Sequence, residues 1–279
     1  MTQVLVRKKN FNLKKLLLII FLVYILVGAT LYFLQDRFLF HPAPLPPAYK
    51  FAFKDSFTEQ QLYYDNNTSF NIVKFTLPKE VIKKGLVIYF HGNMDNITHY
   101  ATFAQYFTKS GYEIWMMDYP GYGKSTGELN EKILYTEALE VYKMARGTGY
   151  TPDSIIIYGK SLGTGIAAQL ASIRDCKKLI LECPYYSIEN LASHYGWMYP
   201  VSWFMNYKIP TNEYLEKVTA PVIVFHGTDD GTIPFSNSEK LKSSCFKPGD
   251  ELIEVEGAGH NNLYDYDLVK KSLDRLLKK

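Results

Sequence analysis

The chain has 279 residues, is 47% hydrophobic and 21% charged, and carries 31 Lys+Arg against 28 Asp+Glu, a formal net charge of +3. So much apolar mass excludes an intrinsically disordered chain and leaves material for a large core. The basic excess sits in the first fifteen residues, as Arg7, Lys8, Lys9, Lys14 and Lys15 with no acid among them; the remainder is slightly acidic, so no basic footprint for nucleic acid is expected.

Residues 1–15 form a basic arm. Leu16 to Leu34, LLLIIFLVYILVGATLYFL, follows without a charge; as a helix it would be about 28 Å long, close to the hydrocarbon thickness of a bilayer. A helix apolar on every face beside a basic cluster fits a membrane anchor better than a core helix. Val27 and Ala29 would suit the end of a cleaved signal peptide, but the apolar run continues through Leu31, Phe33 and Leu34, which favours an uncleaved single-pass anchor. Lys and Arg ahead of the span put the N-terminus in the cytoplasm and the remainder on the opposite side. Residues 35–50, with prolines at 42, 44, 46 and 47, are expected to form an extended spacer, leaving 51–279 as one domain.

Within the domain, Phe70–Leu77 alternates like a half-buried strand. Short apolar runs follow at 85–90, 112–118, 154–158, 178–183, 221–225 and 251–255, and near-continuous runs of this kind suit strands buried on both faces of a parallel sheet. Helix-like segments lie between and after them, at about 96–110, 130–146, 162–173, 236–244 and 262–278. The alternation predicts an α/β fold with a mostly parallel central sheet and helices on both faces. Functional residues are then expected at the carboxyl ends of the strands.

Two pentapeptides match G-x-S-x-G, around Ser125 and around Ser161. A nucleophile elbow needs a strand directly before the serine and a helix directly after it. Ser161 has both, SIIIYGK before and LGTGIAAQLAS after, whereas Ser125 is flanked by loop sequence. Both sites also contain G-K-S, but a phosphate-binding loop needs a glycine five positions before the G of GK. Asp118 and Ser154 stand there instead.

A serine hydroxyl becomes a competent nucleophile when an imidazole takes its proton and an acid orients that imidazole. Of the six histidines, His260 follows the last apolar run among small residues, in EGAGHNN, and is the candidate base. His226 ends a strand and is assigned a structural part. The acid lies in HGTDDGTIP; spacing selects Asp230, with Asp229 the alternative. Ser161, Asp230 and His260 then occur in the chain order of one hydrolase architecture. His91-Gly92-Asn93-Met94, after the run GLVIYF, suits an oxyanion loop, whose N–H would act with that of Leu162. Cys176, Cys183 and Cys245 show no metal-ligand spacing, and an odd count leaves at least one free thiol.

Taken together, these elements resemble the α/β-hydrolase superfamily over about residues 60–279. DYPGYGKS at 118–125 and QDRFLFHP after the apolar span further resemble its membrane-anchored α/β-hydrolase-domain members, among which are depalmitoylating thioesterases and proteins assigned as peptidases or lipases. The resemblance implies Ser161 as nucleophile, His260 as base, Asp230 as acid, Asn93 and Leu162 as N–H donors, and no cofactor. It also implies that residues 184–215 form a small cap over the site. That stretch is rich in aromatic residues, with Tyr185, Tyr186, Trp197 and Trp203 as candidate substrate contacts, which suggests a small-molecule or lipid-like acyl substrate. The resulting expectation is a membrane-anchored serine hydrolase cleaving an ester or thioester with an apolar acyl group. An exopeptidase-like hydrolase and a non-catalytic membrane scaffold are the alternatives.

Overall fold

The computed structural model describes residues 12–278; residues 1–11 of the basic arm and Lys279 lie outside the described residues. The chain divides into two units, Met1–Leu39 and Phe40–Lys279. The first unit contains one helix, α1 (Leu13–Leu39), longer at both ends than the uncharged run and long and apolar enough to cross a membrane. Its 27 residues correspond to about 40 Å of helix, enough for the hydrocarbon core and both interfaces.

The second unit begins with β1 (His41–Pro42), which pairs in parallel with β5 (Met94–Asp95). Leu45 N–H donates to the Gly123 carbonyl at 2.7 Å and Gly123 N–H donates to the Ala43 carbonyl at 3.1 Å. The proline-rich stretch expected to be a spacer is therefore stitched to the domain from Phe40 onward. Prolines cannot donate to a ladder, but the residues between them can, and those are the ones that pair here.

The central sheet has eight strands. In spatial order they are β2 (Phe57–Tyr63), β3 (Ser69–Phe75), β6 (Tyr112–Asp118), β4 (Gly85–Phe90), β7 (Ile155–Lys160), β8 (Lys178–Glu182), β9 (Val222–Gly227) and β10 (Glu251–Val255). β3 runs antiparallel to β2 and to β6; all other pairs are parallel. Every residue of β4, β7 and β9 is buried, as expected for strands covered on both faces. β3 is more deeply buried than its alternating pattern predicts: only Lys74 is partly exposed. Its polar positions are accommodated individually. The Lys74 ammonium lies 3.9 Å from the centre of the Trp115 ring, keeping its charge at the edge while its stem packs. β2 is largely polar and half-exposed because it forms the sheet's edge.

On one face, α2 (Ile97–Tyr100), α3 (Ala104–Thr108) and α10 (Asp267–Lys278) pack against Val87, Tyr89, Ile114, Met116, Ile156 and Tyr158. α10 buries Val269, Ser272, Leu273, Leu276 and Leu277, a stripe at helical spacing. On the other face α5 (Leu162–Ile173) packs against β4, β7 and β8, with α4 (Glu131–Gly147) and α8 (Thr211–Leu215) beside it. Nine of its twelve residues are buried, which explains the glycines and alanines in its sequence. α4 starts where the Asn130 side chain accepts the Ile133 N–H. Between β8 and β9 lie α6 (Ile188–Tyr195), α7 (Val201–Phe204) and α8. α9 (Ser236–Cys245) joins β9 to β10.

Candidate active site

Ser161 stands between β7 and α5 with φ 51° and ψ −118°, a conformation that L side chains rarely adopt. Such strain persists only where neighbours enforce it, and it lifts the side chain clear of the sheet. Ser161 N–H donates to the Glu182 carbonyl at 2.8 Å, while the Ser161 carbonyl accepts from the Thr164 N–H and hydroxyl at 2.9 and 2.6 Å. The flanking glycines are sterically required. A Cβ at Gly159 would lie 2.4 Å from the Gly163 carbonyl oxygen, and one at Gly163 would lie 2.2 Å from that of Phe90. The second pentapeptide is different: Ser125 is buried in a loop, and its Oγ accepts the Asn71 N–H at 2.7 Å.

The loop after β10 brings His260 to Ser161, with Nε2 2.9 Å from the serine Oγ. On the other side of the ring, Nδ1 lies 2.7 Å from Asp230 Oδ2. That spacing fits a neutral imidazole donating from Nδ1 to the carboxylate and accepting the serine hydroxyl at Nε2. Asp230 follows β9, and its Oδ1 accepts the N–H groups of Thr232 and Ile233, both at 2.8 Å. Burial pushes the Asp230 carboxyl up, but hydrogen bonds from His226, His260 and the Ile233 N–H outweigh it and hold the group well below the usual carboxylate range. Asp229, the alternative, is exposed and its carboxylate accepts from Thr228.

Gly92 passes beside Ser161: a Cβ there would lie 3.6 Å from that of the serine. The next residue, Asn93, is half-buried, and its carbonyl accepts from the His41 N–H at 2.9 Å and the Tyr122 hydroxyl at 2.8 Å. Leu162 opens α5, so its N–H has no acceptor within the helix. His91 is buried, donates from Nδ1 to the Gly92 carbonyl at 2.6 Å, and is held down to about 4 by that burial. Its backbone carbonyl accepts from Tyr119, and its Nε2 stands 3.7 Å from Asp118, whose carboxyl burial raises to about 8.

The four candidate substrate contacts occupy different environments. Tyr185 is fully buried, and its hydroxyl donates to the Leu162 carbonyl at 3.0 Å. Tyr186 is half-buried, with the Lys240 ammonium 4.5 Å from its ring centre. Trp197 and Trp203 are exposed.

Three residues of the site carry no function in the sequence reading. His226 is fully buried and contacts Asp230 Oδ2 from Nε2 at 3.3 Å, beside bonds to Ser238 and the Ile233 carbonyl. The i,i+4 spacing of His226 and Asp230 was a visible signal. Lys160, the residue before Ser161, forms a buried ion pair with Glu182, and its ammonium also donates to the His260 carbonyl at 3.3 Å. Glu182 accepts from the Tyr158 hydroxyl at 2.6 Å. A lysine just past one apolar run and a glutamate inside another was the only signal for this pair.

Cys183, Asp230 and His260 present atoms within 4.8 Å of one another that would suit a cation. Burial, however, holds the Cys183 thiol well above its usual value. A neutral thiol is a poor metal ligand, and the other two side chains already bond each other. The donor set does not fit a metal.

A mostly parallel eight-stranded sheet that passes to its central helix through a strained serine is the architecture of the α/β-hydrolases, and the chain belongs to that superfamily. The family model described as "Serine aminopeptidase, S33" matches residues 82–214. Alpha/beta hydrolase domain-containing protein 17C of Xenopus tropicalis is 34% identical over 194 residues, 68% of this chain and 59% of that protein. The human protein 17B is 33% identical over 198 residues, 69% and 65% of the respective chains. The chain thus spans about three fifths of the length of the first of these relatives. Among solved structures, the Pyrococcus furiosus esterase Pf2001 matches with a TM-score of 0.68 at 16% identity, over 85% of this chain and 98% of that one. A soluble variant of the monoglyceride lipase of Saccharomyces cerevisiae matches at 0.61 and 17%, over 84% and 98%. Likeness at these identities concerns the fold.

Proposed function

We propose that the protein is a membrane-tethered serine hydrolase that cleaves an ester or thioester with an apolar acyl group. The observation that carries this reading is the continuous chain of hydrogen bonds Ser161 Oγ, His260 Nε2, His260 Nδ1, Asp230 Oδ2. In the reaction, Ser161 Oγ attacks the substrate carbonyl carbon and its proton passes to His260 Nε2. The resulting oxyanion takes hydrogen bonds from the N–H groups of Leu162 and Asn93, each worth about 3–4 kcal/mol to the transition state. His260 then protonates the leaving alcohol or thiol. Water, deprotonated by His260, cleaves the acyl-enzyme and restores Ser161. Asp230 stays ionised throughout and stabilises the imidazolium. No step needs a cofactor.

The sheltered part of the aromatic segment at 184–215, and not its exposed rings Trp197 and Trp203, is the proposed surrounding of the acyl chain. Tyr186, with its ring half-buried, is the first of its residues to vary. Tyr185 acts indirectly, through the carbonyl of Leu162. The proposed anchor is α1, with the basic arm cytoplasmic and the catalytic unit on the opposite side, because lysine and arginine flank the span on its N-terminal side.

Labelling with a fluorophosphonate probe tests the reading. Wild type should label covalently and Ser161→Ala should not; equal behaviour of the two sinks it. Paired p-nitrophenyl butyrate and palmitate assays test the acyl preference, and hydrolysis of butyrate alone removes it. An aminoacyl p-nitroanilide, turned over faster than either ester, would indicate an aminopeptidase instead.

A further inference from the structure

Tyr195, Trp197, Trp203 and Phe204 are 59%, 77%, 82% and 49% exposed, four large rings within ten residues of the segment between β8 and β9. The stretch from Tyr195 to Tyr207, YGWMYPVSWFMNY, contains no charged residue. Tryptophan exposed to this degree is costly in water and favourable at a membrane interface, where the ring meets acyl chains and the indole N–H stays hydrated. Rings in a cap that lined an acyl pocket would be sheltered; these face outward.

The position of the chain's entry into the domain indicates what covers them. Phe40, the first residue of the domain, is buried and packs edge-to-face on Tyr207, with ring centres 4.9 Å apart. Tyr207 closes the same uncharged stretch. Phe40 directly follows Leu39, the last residue of α1, so no connector separates the end of the apolar helix from this part of the domain. A surface tethered this closely meets the bilayer at high effective concentration.

We propose that the Trp197–Phe204 edge of the cap docks into the headgroup and acyl boundary of the bilayer that α1 spans. The occupant is lipid of the protein's own membrane. This inference rests on the reading of α1 as an anchor. The edge also connects to the candidate site: the Tyr195 hydroxyl donates to the carbonyls of Gly231 and Thr232 at 3.2 and 3.0 Å, and the Thr232 N–H donates to Asp230. Docking would therefore hold the acid loop in a fixed relation to the lipid surface, so that a lipid-borne acyl group meets Ser161 from one side.

The tryptophan inventory permits a direct test, because the chain has three, at 115, 197 and 203, and α1 has none. Trp115 is buried in β6. The full chain is assembled into phosphatidylcholine nanodiscs whose acyl chains are brominated at positions 6 and 7, or deeper at 11 and 12. In wild type, shallow bromine should reduce the emission of Trp197 and Trp203 at least about twofold, with deep bromine quenching less, as expected for rings at an interface. In W197F/W203F the remaining emission should be indifferent to bromine. If wild-type emission is unaffected by bromine and is quenched by aqueous iodide, the docking proposal is overturned while the anchor reading stands. If the chain does not co-elute with the discs, the anchor reading fails and this proposal fails with it.

Discussion

Replacing Lys160 by Met would leave the Glu182 carboxylate buried without its cation. Lys160 is 4% exposed and Glu182 2%, so water does not screen the change. Removing one partner of such a pair typically costs about 3–5 kcal/mol. For a domain of this size a loss of 1 kcal/mol lowers Tm by about 2–4 °C, so the variant should unfold roughly 6–20 °C earlier. The double variant Lys160→Met/Glu182→Gln removes both charges while leaving Tyr158 an acceptor, and should recover most of that loss. Catalysis should respond separately. The Lys160 ammonium holds the His260 carbonyl, and misplacing a reacting group by about 1 Å can cost 100-fold, so kcat should stay reduced in the double variant even as Tm returns. Calorimetry and ester hydrolysis on the two variants and on Glu182→Gln read both effects. A Lys160→Met protein that melts within about 2 °C of wild type, less than 1 kcal/mol on the same scale, would refute the reasoning. So would a double variant no more stable than the single.

Other outcomes follow from the same geometry. Asp230→Asn should lower kcat by about 10⁴ by stabilising the wrong imidazole tautomer, whereas Asp229→Asn should leave ester hydrolysis near wild type; the reverse ranking would move the acid to Asp229. Gly163→Ala forces a methyl into the Phe90 carbonyl and should cost about 1–3 kcal/mol by overpacking, measured by urea unfolding. Burial raises the Asp118 carboxyl to about 8, so between pH 4 and 8 the folded state holds a proton that the unfolded chain releases. Stability should therefore fall as pH rises through that window, with a slope approaching about 1.4 kcal/mol per pH unit. Asp118→Asn should remove that component, and an unchanged pH profile would contradict it. Asp230 works in the opposite sense: its contribution is present above the usual carboxylate range and is lost as pH falls below it, a loss that Asp230→Asn should not show.

The elements that position the candidate site were legible because they are buried. A strand covered on both faces must be apolar along nearly all its length, so β4 and β6 could be bounded from sequence to the residue. The elbow was legible because its sterics demand glycine at 159 and 163. Edges were not. FTEQQLY at β2 has no apolar periodicity because only one of its sides meets another strand. The pairing of residues 41–42 with 94–95 is too short to leave a pattern, and the prolines suggested only an extended spacer. Lys160, Glu182 and His226 were hidden for another reason: a buried charged or polar side chain is identified by its partner, and those partners come together only through the register of neighbouring strands and the turn after β9.

The pairing of His41–Pro42 with Met94–Asp95 matters for anyone cutting the chain to make a fragment without α1. A cut at Lys50, where composition changes, would discard the His41 N–H that holds the Asn93 carbonyl and the Ala43–Leu45 segment clasped to Gly123. The fragment would lose one wall of the proposed oxyanion loop while keeping Ser161, Asp230 and His260, and a weak product would be misread as evidence against the proposed activity. A fragment starting at Phe40 keeps both sets of hydrogen bonds. The same continuity would make the proposed tether a mechanical part of the candidate site, since a pull on the chain at Phe40 is transmitted within three peptide bonds to the strand pair bordering Asn93.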